Sequence, residues 1–252
     1  MSDPMPAGKL FFHTRAAQIA VQSLDRIVDE GIIGMVIAAP GLGKTQTIQF
    51  WRKRQGKDFR HVWIEADVLT SCRPILNALA EGLGLEAVRG RLPEMKQAIC
   101  AALAAQPLPI LIDEADLLAV RTFELLRSIW DRVAALRGFD GERGFPLALF
   151  GAPRLREMLG RPDLERLHRR IFHRAELPPL TGAELAMVLK KWAIECDAEG
   201  FAELRRLSRG SFGWLNVIIP LAQKLAAKNG GKLTAEIMRA ISGHLLGLPG
   251  EE

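Results

Sequence analysis

The sequence predicts an α/β fold in which a parallel sheet is flanked by helices, followed by a small all-helical C-terminal domain. Up to residue 176, short apolar runs typical of buried strands alternate with amphipathic helical segments. This alternation favours a parallel sheet covered on both faces. Beyond the extended segment Leu177–Leu180, all the patterns are helical. We therefore expect a disordered tail over 1–9, an α/β domain over 10–176 and a helical domain over 177–252.

Four strands and the helices between them are predicted in the α/β domain. The first helix, over 14–29, places Ala17, Ala20, Leu24 and Ile27 on one face. The strands are predicted at MVIAA, HVWIEA, LPILIDEADLL, which runs into a turn, and FPLALFGAP. The last part of the domain, LREMLG and then LERLHRRIFHR, is predicted as two helical pieces. The C-terminal helices are TGAELAMVLKKWAIE, FAELRRLSRG, GWLNVIIPLAQKLAAKN and LTAEIMRAISGHLLG.

The composition is that of a globular protein and excludes several classes. The chain has 252 residues, 48% of them apolar and 25% charged. The N-terminus resembles no signal peptide, and no stretch approaches the ~18 apolar residues of a membrane span. The three cysteines are widely separated, which predicts free thiols and a cytoplasmic protein. A net charge of +5 permits nucleic-acid binding without establishing it.

A glycine-containing loop between the first strand and the next helix has the pattern of a phosphate-binding P-loop. Gly41 and Gly43 allow the backbone N–H groups to face phosphate oxygens, and the helix that follows adds its positive end. Lys44 is predicted to reach the β- and γ-phosphates of ATP, and Thr45 to offer its hydroxyl to Mg²⁺. Ala38 stands where the pattern expects glycine. The predicted ATP-binding residues are Ala39, Pro40, Gly41, Leu42, Gly43, Lys44, Thr45 and Gln46.

Two acidic residues end the third predicted strand, about 70 residues after the loop. Asp113 is predicted to hold Mg²⁺, together with Thr45, and Glu114 to activate the attacking water. A strand end that is merely solvated by acids is the simpler interpretation of these two residues taken alone. The phosphate loop in the right order and context favours an ATPase instead.

The α/β core, the Asp-Glu pair and the helical C-terminal domain together resemble the AAA+ superfamily. The resemblance implies a P-loop AAA+ core with a helical lid domain and hydrolysis at subunit interfaces, completed by an arginine from the neighbouring subunit. Arg170 matches that arginine finger, with Arg169 as the second choice. A local carboxylate or DNA are the other partners that these arginines could have.

Two departures from the AAA+ pattern predict weak or partner-stimulated hydrolysis. Ala152 stands where many relatives carry a polar residue that orients water. The stretch Gly210–Asn216 contains no arginine, although many relatives carry there an arginine that senses the γ-phosphate.

A closer similarity is to transposition ATPases of the MuB, TniB and TnsC type. It rests on TRAAQIAVQSLDRI, on IDEADLL followed by FELLRSIWDR, and on LALFGAPRLREML. The resemblance implies a homo-oligomer, a ring or a helical filament, that assembles on double-stranded DNA with ATP and recruits or activates a transposase at target sites.

Rival functions remain open. One is an ATPase adaptor that contacts only proteins, of the secretion-associated type, and another is a helicase-loader-like ATPase acting on single strands. A small-molecule kinase fits less well, because of the Asp-Glu pair and the helical C-terminal domain. Arg52, Lys53 and Arg54 are the predicted DNA contacts, although a solvated basic surface is equally consistent with them.

Overall fold

A computed structural model describes residues 11–85, 90–138, 143–227 and 231–245. The predicted tail over 1–9 lies outside these residues. Among the described residues, no helix has both the length and the apolar character needed to cross a membrane. All three cysteines are free thiols; Cys100 is buried, while Cys72 and Cys196 are partly exposed.

By its contacts the chain divides into two compact units. One unit comprises Ile19–Ala39 and Lys44–Leu177, and the other comprises Met1–Gln18, Pro40–Gly43 and Pro178–Glu252. The predicted domains are continuous in sequence. The compact units are not, because the tip of the phosphate loop groups with the C-terminal helices. The domain assignment itself stays a prediction.

The first unit is a parallel α/β structure, as the alternating pattern predicts. In chain order its elements are α1 (Arg15–Glu30, which begins in the second unit), β1 (Ile33–Ile37), α2 (Lys44–Gln55), β2 (Val62–Glu65), α3 (Cys72–Gly82), α4 (Leu92–Ala105), β3 (Ile110–Asp113), α5 (Val120–Leu136), β4 (Leu147–Gly151), α6 (Arg154–Leu159), α7 (Glu165–His168) and β5 (Ile171–Glu176). The described residues form one five-stranded sheet in the order β2-β3-β4-β1-β5, with every pairing parallel.

Burial explains why the strands in the middle of this sheet form. Every residue of β1, β3 and β4 is buried, as expected of strands that are covered by helices on both faces. Helix α5 places Phe123, Leu126, Trp130 and Val133 on the buried face, at the spacing of helical turns. The carboxyl ends of β1 and β3 therefore have fixed positions in the core.

The segment LERLHRRIFHR, predicted as one helical piece, is a short helix followed by a strand, so that prediction is wrong. Helix α7 ends at His168, and β5 begins at Ile171 and pairs with β1 at the sheet edge. The strand is only half buried and carries His173, Arg174 and Glu176, so it lacks the apolar run that marks the other strands. Tertiary pairing with β1 overrides the local helical pattern.

The second unit is helical beyond Leu180. Its helices are α8 (Gly182–Lys191), α9 (Ala198–Ser208), α10 (Phe212–Ala226) and α11 (Ala235–Leu245). Polar N-caps begin three of them: Thr181 with Glu184 forms a capping box for α8, Asp197 caps α9 and Ser211 caps α10. Their apolar faces share one core that includes Leu185, Leu204, Leu215, Ile219 and Met238.

Candidate functional site

The phosphate loop joins the buried end of β1 to the start of α2. The N–H of Ala38 donates to the Gly151 carbonyl at 3.0 Å, which continues the sheet one residue past β1. Gly41 and Gly43 then adopt φ angles of +78° and +88°. Residues other than glycine rarely adopt such φ angles. The two glycines of the predicted motif are therefore needed for the path of the backbone. Helix α2 begins at Lys44, directly after this turn.

The ammonium group of Lys44 is buried and contacts the backbone of its own loop. Its side chain is only 6% exposed, and its Nζ donates to the Ala38 carbonyl at 3.3 Å. The same Nζ lies 3.8 Å from Glu114 Oε1. A buried ammonium group requires such partners, and phosphate oxygens would satisfy it more completely.

Thr45 and Asp113 meet, as the predicted metal pair requires. The Thr45 hydroxyl donates to Asp113 Oδ2 at 2.6 Å, although the two residues are 68 positions apart. Asp113 is fully buried at the end of β3, and its Oδ1 accepts the N–H of Glu114 at 3.0 Å. Both carboxylate oxygens of Asp113 are therefore held in place.

Glu114 has a backbone conformation that is unusual for a residue with a side chain. Its φ of 51° and ψ of 38° lie in the left-handed region, which costs roughly 1–2 kcal/mol for an L-residue. The side chain is 38% exposed. Burial raises the pKa of Glu114, the charge of Lys44 lowers it, and Asp113, Asp116 and Glu65 raise it again. The carboxylate is thus more basic than a free glutamate and lies beside the cation of the phosphate loop.

Asp116 is a buried acidic residue near this site to which the motif analysis assigned no role. It is buried after β3, and its Oδ1 accepts the N–H of Ala152 at 2.8 Å. This bond ties the turn after β3 to the residue that follows β4. The spacing in Asp-Glu-Ala-Asp was visible in the sequence, but its partner 36 residues away was not.

Arg170 lies apart from these residues, immediately before β5. Its Nε donates to Asp131 Oδ1 on α5 at 3.1 Å, and its side chain is 37% exposed. Asp131 also accepts from Arg127 Nη1 at 2.5 Å. Hydrogen bonds from Arg127 to Glu124, together with the charge of Asp131, raise the pKa of Arg127. Among the described residues, the Nη atoms of Arg170 have no partner.

Three of the six other arginines between residues 154 and 174 pair with local carboxylates. Arg156 pairs with Glu176, Arg161 with Asp163, and Arg169 with Glu165. Arg154 and Arg166 are exposed and form no ion pair in the described part of the chain. The last arginine of this segment, Arg174, donates to the His168 carbonyl at 3.0 Å. Arg169 and Arg170 therefore both have a local carboxylate as partner, Glu165 and Asp131, which was the alternative to a finger role considered from the sequence.

The three basic residues predicted to contact DNA have different surroundings. The Arg52 guanidinium lies 4.4 Å from the centre of the Trp63 ring and donates to His61 Nε2. Arg54 pairs with Asp25. Lys53 is exposed, and its side chain makes no ion pair within the described ranges.

Comparison with known proteins agrees with this geometry. A family model described as an AAA domain matches residues 28–159, which is more than half of the chain. No protein of curated function matches the sequence.

Solved structures share the fold over nearly the whole chain. Cdc6p from Pyrobaculum aerophilum superposes with a TM-score of 0.66 and 17% identity, covering 98% of this chain and 73% of that one. ORC1 from Aeropyrum pernix gives 0.61 and 15%, covering 97% and 71%. The RuvB protein of Thermotoga maritima gives 0.58 and 16%, covering 96% and 72%. The chain belongs to the AAA domain family of P-loop ATPases.

Proposed function

We propose that this ATPase binds duplex DNA as an oligomer in an ATP-dependent manner and recruits or activates a transposase at target sites. The observation that carries the nucleotide-dependent part is the convergence of Lys44, Thr45, Asp113 and Glu114 at the carboxyl ends of two strands. In doubly wound sheets, this edge is where ligands bind.

The residues present fit a magnesium nucleotide. Mg²⁺ prefers oxygen ligands and is usually held by one or two carboxylates together with substrate phosphates. Thr45 Oγ1 and Asp113 Oδ2, 2.6 Å apart, form such a donor pair. Bound there, Mg²⁺ would neutralise negative charge on the phosphates.

The proposed hydrolysis divides the work among three side chains. Lys44 gives up the Ala38 carbonyl and Glu114 and binds the β- and γ-phosphate oxygens. Glu114, released from Lys44, accepts a proton from a water whose oxygen bonds to the γ-phosphorus as ADP leaves. The raised pKa of Glu114 suits this role, because a more basic carboxylate takes the proton more readily. Arg170 of a neighbouring subunit stabilises the charge that develops on the transferred phosphoryl group.

The environment of Arg170 supports that last assignment. Asp131 holds only the Nε side of the guanidinium, which leaves the two Nη groups at its tip for another ligand. The ion pair with Asp131 is partly exposed on both sides, so it contributes about 0–1 kcal/mol and can be given up. A finger that is oriented but weakly held suits action in trans.

Binding of duplex DNA is supported by charge and by the structural neighbours. The net charge is +5, and Lys53 extends from the surface of α2 without a local partner among the described residues. The Aeropyrum pernix ORC1 structure is a complex with DNA, and the Thermotoga maritima RuvB is named as a Holliday junction branch migration motor.

The transposase partner is proposed from the motif segments of the MuB, TniB and TnsC type. Two of these segments are joined by the hydrogen bond between Asp116 and Ala152. They therefore form one structural feature beside Glu114, where nucleotide state and partner binding could be linked.

Filter retention and electron microscopy of the protein with duplex DNA test this proposal. We expect salt-sensitive retention and ordered oligomers with ATP or a non-hydrolysable analogue, and neither with ADP. The Lys44→Ala variant, which we expect not to bind ATP, serves as the control. A preference for single strands would instead favour the helicase-loader-like function. Oligomers without DNA retention would favour the protein-only adaptor.

An integration assay tests the transposase step by itself. With a purified candidate transposase, we expect more strand-transfer product, at altered target positions, when the chain and ATP are both present. Unchanged yield and unchanged target positions would contradict recruitment while leaving DNA binding intact.

A further inference from the structure

The first turn of α10 holds the tip of the phosphate loop. Within the compact unit that contains both segments, Ser211 Oγ donates to the Pro40 carbonyl at 3.3 Å. The N–H of Gly213 donates to the Gly41 carbonyl at 3.2 Å. Two successive carbonyls of the phosphate loop are thus bound by residues about 170 positions away in sequence.

The two segments are also in close steric contact. A Cβ atom added at Gly41 would come within 2.8 Å of the Gly213 nitrogen, and a Cβ at Gly213 would lie 3.1 Å from the Gly41 Cα. Gly41 therefore leaves no room for a side chain, and a side chain at Gly213 would push the loop away from α10. At Gly41 the positive φ adds a second reason.

Holding these carbonyls determines where the loop N–H groups point. In a planar trans peptide, the C=O and the N–H point in opposite directions, and the chain has no cis peptide among its described residues. The peptides whose oxygens face α10 therefore turn the N–H groups of Gly41 and Leu42 away from it. Within the described ranges, these two N–H groups donate to no other residue. They are oriented and available for an anion.

Burial and two hydrogen bonds fix the position of the Ser211 side chain against the loop. It is only 6% exposed, it caps α10 by accepting the Trp214 N–H at 3.4 Å, and its hydroxyl proton goes to the loop. It lies in the stretch Gly210–Asn216, which lacks the arginine that many AAA+ relatives carry there.

We propose that Ser211 and Gly213 are positioning residues of the phosphate loop. By holding the Pro40 and Gly41 carbonyls, they keep the Gly41 and Leu42 N–H groups directed at the phosphates of the nucleotide. This inference rests on the proposed nucleotide site. It assigns no ligand to α10 itself, because α10 acts only through the loop.

The proposal makes a prediction that separates it from γ-phosphate sensing. The loop N–H groups serve the phosphates that ATP and ADP share, so loss of positioning should weaken both nucleotides about equally. An arginine that senses the γ-phosphate would discriminate between them. We expect Ser211→Ala and Gly213→Ala each to lower ATP and ADP affinity about tenfold, with the ATP/ADP ratio unchanged.

Matched variants separate positioning from helix stability. Thr181→Ala removes the N-cap of α8, in the same unit, and Gly243→Ala adds a methyl group in α11 where no atom lies within 4 Å. Calorimetric titration gives the affinities, and thermal unfolding gives Tm for every variant. We expect both controls to bind nucleotide as wild type does, even where Thr181→Ala lowers Tm. Ser211→Thr keeps the hydroxyl and should restore the affinity.

The outcomes distinguish this inference from the nucleotide site on which it rests. If Lys44→Ala binds ATP normally, the proposed site is wrong. If Lys44→Ala loses ATP while folded Ser211→Ala and Gly213→Ala bind it as wild type does, only the positioning role is overturned. Equal weakening in Thr181→Ala would also overturn it, because helix stability would then explain the loss.

Discussion

The end of β3 and the arginine-rich segment 154–174 both carry residues assigned to ATP hydrolysis, but they are built in opposite ways. Asp113 is fully buried, and Lys44 nearly so, because they lie at the ends of core elements. The arginines lie on short elements around the sheet edge, and Arg156, Arg161 and Arg169 are exposed and paired with nearby carboxylates.

This difference predicts different behaviour. A buried charge cannot lose its partner without a large cost, so the fold itself fixes the geometry at the end of β3. A surface ion pair contributes about 0–1 kcal/mol, so an arginine can exchange a carboxylate for a phosphate when a partner arrives. In the proposed function, the first region is complete within one chain, whereas the second acts on a neighbouring subunit or on DNA.

The broadest effect is expected from Lys44→Ala, because it acts on nucleotide binding and therefore on every step that follows. The loss of a buried, charge-assisted contact of ~1.5–3 kcal/mol should weaken ATP binding by about one to two orders of magnitude and abolish ATP-dependent retention on DNA. Calorimetric titration measures this, with Lys57→Ala as the control because Lys57 is an exposed lysine outside the loop. Unchanged ATP affinity in Lys44→Ala would show that this lysine is not at the nucleotide.

Mixing two inactive subunits tests the second region. Arg170→Ala should bind ATP in its own loop yet fail to complete its neighbour's site, so turnover should fall on the order of a thousandfold. In a mixed oligomer with Lys44→Ala, some interfaces pair an intact loop with an intact Arg170, and hydrolysis should return. Arg166→Ala is the matched control, since Arg166 is exposed without an ion pair within the described ranges.

Failure of that mixture would be informative. If the two variants co-assemble, as shown by cross-linking, and still do not hydrolyse ATP, Arg170 is not the finger. Arg169 and Arg174 would then be the candidates to test. In that case the bond to Asp131 is purely structural, and Arg170→Ala should lower Tm without a specific effect in trans.

Glu114→Gln should slow turnover by about two to four orders of magnitude, because general-base catalysis contributes that much. ATP binding should persist, and oligomers on DNA should live longer. Glu65→Gln is the matched control, since Glu65 lies beside Asp113 in the sheet register, at the same edge. We expect it to change turnover less than about tenfold. Steady-state turnover near the wild-type rate in Glu114→Gln would remove Glu114 as the base.

The elements that the sequence predicted best are those whose residues are buried. The strands β1, β3 and β4 are continuous apolar runs, and the first helix, predicted over 14–29, is Arg15–Glu30. The same apolar runs locate the acidic residues at the end of β3 and the loop after β1. The AAA domain match confirms the fold class and the ATPase.

What the sequence could not predict are contacts made at long range. Strand β5 is half exposed and polar, so only its pairing with β1 identifies it. The bonds of Asp116 to Ala152 and of Ser211 to Pro40 join segments that no local pattern connects. The ion pair of Arg170 with Asp131 spans 39 positions, and it decides how that arginine is presented.

The smallest effect is expected at the proposed DNA contacts, where the structure singles out Lys53. Arg52→Glu would also disrupt the stacking on Trp63, and Arg54→Glu the pair with Asp25, so their effects would mix stability with binding. Lys53→Glu changes the surface charge alone. It should weaken binding to all duplexes alike and reduce the salt dependence by about one phosphate contact, because phosphate contacts carry no sequence information.

Retention measured on several duplexes over a series of salt concentrations decides the case. Lys224→Glu makes the same charge change on an exposed lysine of α10, so it corrects for net charge. Equal weakening by the two variants would reduce the role of Lys53 to its contribution to overall charge. Loss on some sequences and not others would contradict a backbone contact and would require that α2 reads bases. A selective, sequence-independent loss in Lys53→Glu would place the DNA on the surface that follows the phosphate loop. The helix that begins at Lys44 would then connect the nucleotide to the DNA.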